Sequence, residues 1–231
     1  MSIVPYRDPR ARRRRPLDRE QVVRASLLLL DEVGLDAFTM RRLAERLGVK
    51  AASLYRHVRD KEELLVLLAD EICGAIPTAV LDGPWEERLL AMGRNYRRAL
   101  LARRDAARVL AGTAPFGPNR LRLVEITLRA LRSGGLSKRN AASAGYHLNG
   151  FVTEFVADEG RYAAAAAALG VSRRRMFSAV REQFMSLPPD EFPTIIELAD
   201  ELARDDPDGL FEFGLRAWLA GLAPLRRGRR R

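Results

Sequence analysis

The chain has 231 residues, is 47% hydrophobic and carries a formal net charge of +10, a length that allows one small and one larger domain, each with its own core. A lone cysteine, Cys73, excludes an intramolecular disulfide, the N-terminus lacks the apolar stretch of a secretory signal, and no run approaches the roughly 18 apolar residues needed to span a bilayer. These features exclude a disulfide scaffold and a membrane-spanning protein and predict a soluble cytoplasmic chain with no membrane partner.

The charge is concentrated at the two ends. Residues 1–16 hold Arg7, Arg10, Arg12, Arg13, Arg14 and Arg15 against Asp8, and residues 225–231 hold Arg226, Arg227, Arg229, Arg230 and Arg231, so the body between them is neutral. Both ends are expected to be disordered, a basic arm over 1–16 and a basic tail over 225–231. The arm either follows phosphates or places arginines in an adjacent minor groove, or it is a solvated tail that raises non-specific affinity; for the distant tail the solvated role is the simpler one.

Leu17 to Glu32 reads as a first helix. Asp18 is its N-cap with Gln21 three residues on, Val22, Ala25, Leu28 and Leu29 form its apolar stripe, and Gly34 lies beyond its end. A second helix starts at Thr39 and buries Met40, Leu43, Ala44 and Leu47; Gly48-Val49-Lys50 is the turn, with glycine supplying left-handed backbone. A third helix, roughly 51–58, buries Leu54 and Val58 and turns Ser53, Tyr55, Arg56 and His57 outward. Asp60 with Glu63 caps a fourth helix through Leu64, Leu65, Leu67, Leu68 and Ile72, on whose apolar side Cys73 is a core residue rather than a redox sensor. Two short helices joined by a glycine turn, the second with a polar outer face, form a helix-turn-helix that fits the major groove.

The segment from Leu17 to Leu65, with its EVG turn, its LGV turn and its LYRHVRDKEELL ending, resembles the DNA-binding domain of the tetracycline repressor (TetR) family. The resemblance implies double-stranded operator DNA as partner. It makes Arg41 a base-reading arginine, with a fork suited to guanine O6 and N7, and Lys61 a phosphate-binding lysine, while Ser53, Tyr55 and His57 match positions used for base and phosphate contacts. Thr39 and the backbone amides around it suit a phosphate oxygen. Departures from the repressor proper lie in the recognition helix: after Lys50, Ala51 and Ala52 offer only methyl contact, and Arg56 adds a cation, which implies a different operator.

Past residue 75 the chain breaks at Pro77, Gly83 and Pro84, and apolar-periodic helical segments follow at roughly 85–102, 105–112, 119–133, 138–157, 190–204 and 208–222. The alanine run and arginines between 161 and 175 read as a mobile or partly helical connector. The fold class is therefore all-α: a three-helix helix-turn-helix domain over 17–64 and a larger helical effector-binding and dimerisation domain over 65–224. WEERLLAMGRNYRRALLARRDAARVLAGT, HLNGFVTEFVADEG and FEFGLRAWLAGL are similar to the C-terminal domain of the tetracycline-repressor subgroup. That resemblance implies a homodimer built on the helix after Ser137 and the final helix. Phe151, Val152, Phe155, Phe211, Phe213, Leu215, Trp218, Leu219 and Leu222 read as more apolar surface than one monomer buries.

The resemblance also locates a pocket and alters it. The metal-ligating histidine of the subgroup falls on Leu110, which cannot bind a divalent ion; its drug-contacting histidine falls near Pro77, and an asparagine becomes Met92. Thr113 and Glu154 match polar pocket positions. The expected lining is Met92, Tyr96, Leu110, Thr113, Phe116, Ile126, His147, Asn149 and Phe151, with Glu154 near it, each equally well explained by helix packing; it suits an apolar or aromatic small-molecule effector with no metal and no cofactor. The expected function is a dimeric repressor released from a palindromic operator by that effector; an effector-independent or activating regulator is the alternative. Two histidines in separate domains, one cysteine and no nucleophile–base pairing argue against an enzyme.

Overall fold

The structure, a computed structural model, describes residues 17–78 and 83–226; the basic arm and all but the first residues of the basic tail lie outside them. Helix α1 (Arg19–Ala37) opens with a reciprocal cap: Asp18 Oδ1 accepts the Gln21 N–H at 2.7 Å and Gln21 Oε1 accepts the Asp18 N–H at 3.1 Å. It runs past its expected end at Glu32 because Gly34, at φ +74°, bends the chain without stopping it. Helix α2 (Met40–Leu47) is capped by Thr39 Oγ1 and closes at Gly48 with φ +64° and ψ +37°. Helix α3 (Ala51–Leu54) is shorter than the expected 51–58: the His57 and Val58 N–H groups both bond Leu54 O, at 2.8 and 3.1 Å, so residues 55–57 tighten into a turn. Helix α4 (Lys61–Gly74) is capped by Asp60. Val22, Leu30, Phe38, Leu43, Leu54 and Leu64 are fully buried and form the core that holds α1 to α4 together.

The second part contains α5 (Trp85–Leu101), α6 (Ala106–Ala111), α7 (Pro118–Ser133), α8 (Lys138–Ala168), α9 (Arg173–Met185), α10 (Pro193–Glu197), α11 (Ala199–Leu202) and α12 (Pro207–Gly221). The connector expected over 161–175 is mostly helix. Alanine has the highest intrinsic helix propensity, so α8 continues through the alanine run until Gly170 turns left-handed at φ +65°. Ser172 then caps α9, a helix the periodicity did not single out. The single helix expected over 190–204 is two short ones that meet at Leu198, whose φ of -98° and ψ of 8° end the first and begin the second. Helix α8 packs against α5, α6 and α7, while α4 packs against α6 and α7 and so belongs to both parts of the molecule.

The apolar side chains expected to be surplus in a monomer are mostly absorbed within it. Val152, Phe211, Leu215 and Leu222 are buried and Phe151, Phe155, Trp218 and Leu219 half-buried, leaving Phe213 as the one of that group that is 74% exposed. The reason is the packing of aromatic rings between α8 and α12: Phe211 stacks on Phe151 at 5.4 Å and meets Phe155 edge-on at 5.3 Å. Gly214 permits this approach, since a Cβ there would lie 2.7 Å from the Phe151 ring.

Candidate functional site

The outer surface of α2 and α3 carries most of the residues expected to meet DNA. Arg41, Lys50, Ala51, Ala52, Tyr55 and Arg56 are exposed, and Ser53 and His57 are half-buried beside them. Arg41 is held by Glu45, one helical turn on, with Nε 2.9 Å from the carboxylate. Arg56 makes no ion pair among the described residues. Thr39 is committed to its own helix, accepting the Arg42 N–H at 3.2 Å. Lys61, expected to bind phosphate, also has an internal contact: its Nζ donates to the Phe38 carbonyl at 2.8 Å and lies 5.7 Å from the centre of the Phe38 ring. It therefore ties the start of α4 to the corner between α1 and α2, keeping two of its three N–H groups for other acceptors.

Helices α1 to α3, the head, are clamped to the rest of the molecule by charge. Arg103 pairs with Asp31 at 2.7 Å, Arg104 donates to the Glu32 carbonyl at 2.9 Å, and Arg108 takes Asp36 in a two-pronged contact at 2.6 and 3.1 Å. From the other side Asp105 Oδ2 accepts the Leu35 N–H at 2.7 Å. To do so Asp105 takes a left-handed conformation, φ +57°, directly before α6. Gly34 is its complement: a Cβ there would stand 2.9 Å from Asp105 Oδ2 and from Arg104 Nε. The Arg108 hydrogen bond holds Asp36 below the usual carboxylate range, and Asp36 in turn raises Arg108.

Behind this clamp, α4, α5, α6, α7 and α8 pack against one another and carry a second group of expected site residues. Met92, Tyr96 and Leu110, expected to line an effector pocket, are buried. The Tyr96 hydroxyl donates to Oδ1 of Asn149, which is itself exposed, at 2.9 Å, and burial pushes the Tyr96 ionisation up. Thr113 is half-buried and bonds back to Val109 O. Ile126 is half-buried. Phe151 belongs to the α8–α12 ring packing, and Phe116, His147 and Glu154 are exposed, His147 against the Tyr146 ring and Glu154 4.0 Å from Arg161. These four are not gathered with the buried group.

Two residues that sequence reasoning did not select lie in the centre. Asp70 of α4 and Arg120 of α7 are both buried, at 9% and 6% exposure. Asp70 accepts the backbone N–H of Arg120 at 2.9 Å and Asn119 Nδ2 at 3.1 Å. The Arg120 guanidinium points the other way, into the end of α6, donating to Leu110 O at 2.8 Å, Thr113 O at 3.0 Å and Thr113 Oγ1 at 2.9 Å. A signal existed for each: Asp70, one of two adjacent carboxylates in the otherwise apolar run LLVLLADEIC, and a polar pair, Arg120 and Thr127, on the same stripe as Leu123 and Ala130. Thr127 donates to Leu123 O at 2.9 Å and lies 3.1 Å from Met92 Sδ. Burial pushes the Cys73 thiol up to about 11, in keeping with a core cysteine.

Residues 22–68 match the family described as "Bacterial regulatory proteins, tetR family", and residues 77–226 match "Tetracyclin repressor-like, C-terminal domain". The chain belongs to the tetR family. It is 35% identical over 210 residues to the tetracycline repressor protein class A from transposon 1721 of Escherichia coli, covering 89% of this chain and 90% of that one. Among solved structures, it is similar to the TetR family protein ActR of Streptomyces coelicolor in complex with actinorhodin, at 36% identity and a TM-score of 0.83, covering 92% of this chain and 98% of that chain. It is also similar to a TetR variant from Acinetobacter baumannii AYE in complex with minocycline, at 30% identity and a TM-score of 0.69, covering 93% and 97%. A tetR-family chain of this kind is a DNA-binding transcription regulator and not an enzyme. Among the described residues, no helix is long and apolar enough to cross a membrane and no group of three or more His, Cys, Asp or Glu side chains is placed to hold a metal ion. Leu110, where the subgroup resemblance puts a metal-ligating histidine, is a buried aliphatic side chain and does not fit that role.

Proposed function

We propose that this tetR-family regulator is a cytoplasmic homodimeric repressor that holds a palindromic operator through residues 17–64 and is released by a small, largely apolar effector bound within residues 65–224. The observation that carries the reading is the mechanical continuity between the two parts. The exposed reading residues Arg41, Tyr55 and Arg56 ride on α2 and the turn after α3, and that head is fixed to the effector domain both by α4 and by the clamp of Asp31, Asp36 and Leu35 to Arg103, Arg108 and Asp105. A ligand that prefers a different placement of α6 is linked to the head through those contacts, and an effector acts only through such a difference between states.

Thr39, Arg41, Lys50, Ala51, Ala52, Ser53, Tyr55, Arg56, His57 and Lys61 are the proposed DNA-contacting residues, and Met92, Tyr96, Leu110, Thr113 and Asn149 the proposed effector contacts. The dimer reading is supported by the exposed apolar side chains Tyr146 on α8 and Leu210 and Phe213 on α12. A two-fold dimer offers two recognition helices to half-sites about one turn of DNA apart. Footprinting of the purified protein on the DNA flanking its own gene, with and without aromatic compounds, together with its mass in solution, tests the reading. A symmetric footprint that a compound abolishes is expected. A monomer that protects no defined sequence overturns it, and a footprint indifferent to every compound favours an effector-independent regulator.

A further inference from the structure

Arg120 is a charge in an unusual position. Its side chain sits on the buried stripe of α7 with Leu123, Thr127 and Ala130, and the residue is 6% exposed. All the acceptors it meets among the described residues are neutral: Leu110 O, Thr113 O and Oγ1, and Ala114 O. These occupy Nη1 and Nη2, while Nε–H donates to no group among the described residues. The obvious counter-ion is Asp70, but its two oxygens are taken by the Arg120 backbone N–H and the Asn119 amide, and it forms no ion pair with the guanidinium. A buried cation whose direct hydrogen-bond partners are all neutral is less fully compensated than one bonded to an anion, which adds charge-assisted bonds where the dielectric is low. The same charge is felt at Tyr96 and Cys73, whose side chains line the interior between α4 and α5.

We propose that Arg120 is the specificity-determining residue of the effector site and that the effector is an aromatic acid, its carboxylate or acidic phenol taken by the Arg120 guanidinium and its rings by Met92, Tyr96 and Leu110. This rests on the effector reading above. The buried Tyr96 hydroxyl, bonded to the exposed Asn149, and the buried Thr127 supply neutral orienting groups, so the acid defines one end of the ligand. Because Arg120 also holds the last carbonyls of α6, a carboxylate that draws on the guanidinium acts on the helix whose first turn carries Asp105 and Arg108.

The test compares matched pairs differing only in charge: 2-naphthoic acid against 2-naphthamide, and anthraquinone-2-carboxylic acid against its amide, titrated calorimetrically into the full-length protein at neutral pH. At least one acid is expected to bind about tenfold tighter than its amide, the size of one charge-assisted contact. Arg120→Gln should abolish that preference and Arg120→Lys should keep most of it. Equal affinity of acid and amide, no binding of either acid at millimolar concentration, or a preference that survives in Arg120→Gln overturns the proposal; the first two are read on the unaltered protein, whatever the variants do to folding. The two readings fail separately in a parallel operator-release assay. Amides that match the acids discard the acidic class and keep the effector reading, while an operator that stays bound although the acid binds at Arg120 discards the effector reading alone.

Discussion

Asp70 on α4 accepts the backbone N–H of Arg120, the third residue of α7, at 2.9 Å, and so does for that helix what an N-cap side chain does for most. The N-cap position itself is Gly117, and it is glycine for a steric reason: a Cβ there would fall 2.1 Å from the Asp70 carboxylate. Asp70→Ala leaves the buried Arg120 N–H and the half-buried Asn119 amide without this acceptor and should lower stability by about 1–3 kcal/mol. Gly117→Ser, which brings its own capping hydroxyl, should also destabilise, because it displaces α4 from α7. Denaturant melts of both variants check this; a stabilised Gly117→Ser protein would show that the cap from Asp70 is dispensable.

Gly34 sets the angle between head and core. Its φ of +74° and ψ of 171° suit glycine, and the Arg104 and Asp105 side chains fill the space a Cβ needs. Gly34→Ala is expected to cost about 1–3 kcal/mol through backbone strain, and more where the clamp separates. The clearest readout is hydrogen exchange: the Leu35 amide, protected by Asp105 at 2.7 Å, should exchange faster in Gly34→Ala and in Asp105→Ala alike. Unchanged protection in both would remove Asp105 from the clamp.

Lys61 carries two roles that one substitution separates. Replacing it by methionine keeps the stem and removes the ammonium that donates to Phe38 O and faces the Phe38 ring. The thermal midpoint should fall by an amount matching about 1.5–3 kcal/mol, the scale of a hydrogen bond from a charged donor. An unchanged midpoint with a salt slope of DNA binding reduced by about one would leave Lys61 a phosphate contact and nothing else.

The parts of this molecule written in neighbouring residues were the legible ones. Asp18 with Gln21, the left-handed Gly48 and the Asp60 cap each act within four residues, and each produced the expected helix boundary. The extension of α8 was hidden because alanine contributes neither a polar nor an apolar face to a periodic pattern, and because what steadies that end is distant: Tyr162 meets Phe177 of α9 at 5.6 Å. Phe151 was assigned to the effector site on resemblance, yet its partner is Phe211 on another helix. Asp70 and Arg120, 50 positions apart, look like isolated polar interruptions until the fold makes them neighbours.

Acid should loosen the clamp before it unfolds the cores. Asp36 is held below the usual carboxylate range by its hydrogen bond from Arg108, Glu63 by the Arg59 backbone N–H, and Glu212 by Arg94. A carboxylate whose folded value is depressed contributes stability that is complete above its unfolded value, near 4, and is lost as pH falls through the folded value. Stability should therefore hold from neutral pH to about 5 and decline below. Asp36→Asn should flatten part of that decline while leaving the neutral-pH fold intact; an acid profile identical to that of the unaltered chain would mean that Asp36 pairs equally well in the unfolded state.

Arg41 and Glu45 make the most direct prediction about operator choice. In the free protein the guanidinium is engaged by Glu45 at 2.9 Å on an exposed helical face, so reading a guanine exchanges one acceptor for another. Arg41→Ala should cost about 1–3 kcal/mol on the preferred operator and relax preference at one base pair. Glu45→Gln removes the competing carboxylate and one negative charge from a surface facing phosphates, so it should tighten binding to all duplexes and narrow the gap between preferred and scrambled sequences. Binding isotherms on both DNAs at several salt concentrations distinguish the cases. Weakening by Arg41→Ala that is uniform across sequences would make Arg41 a phosphate contact, and a loss of affinity in Glu45→Gln would mean that Glu45 positions the arginine for reading instead of restraining it.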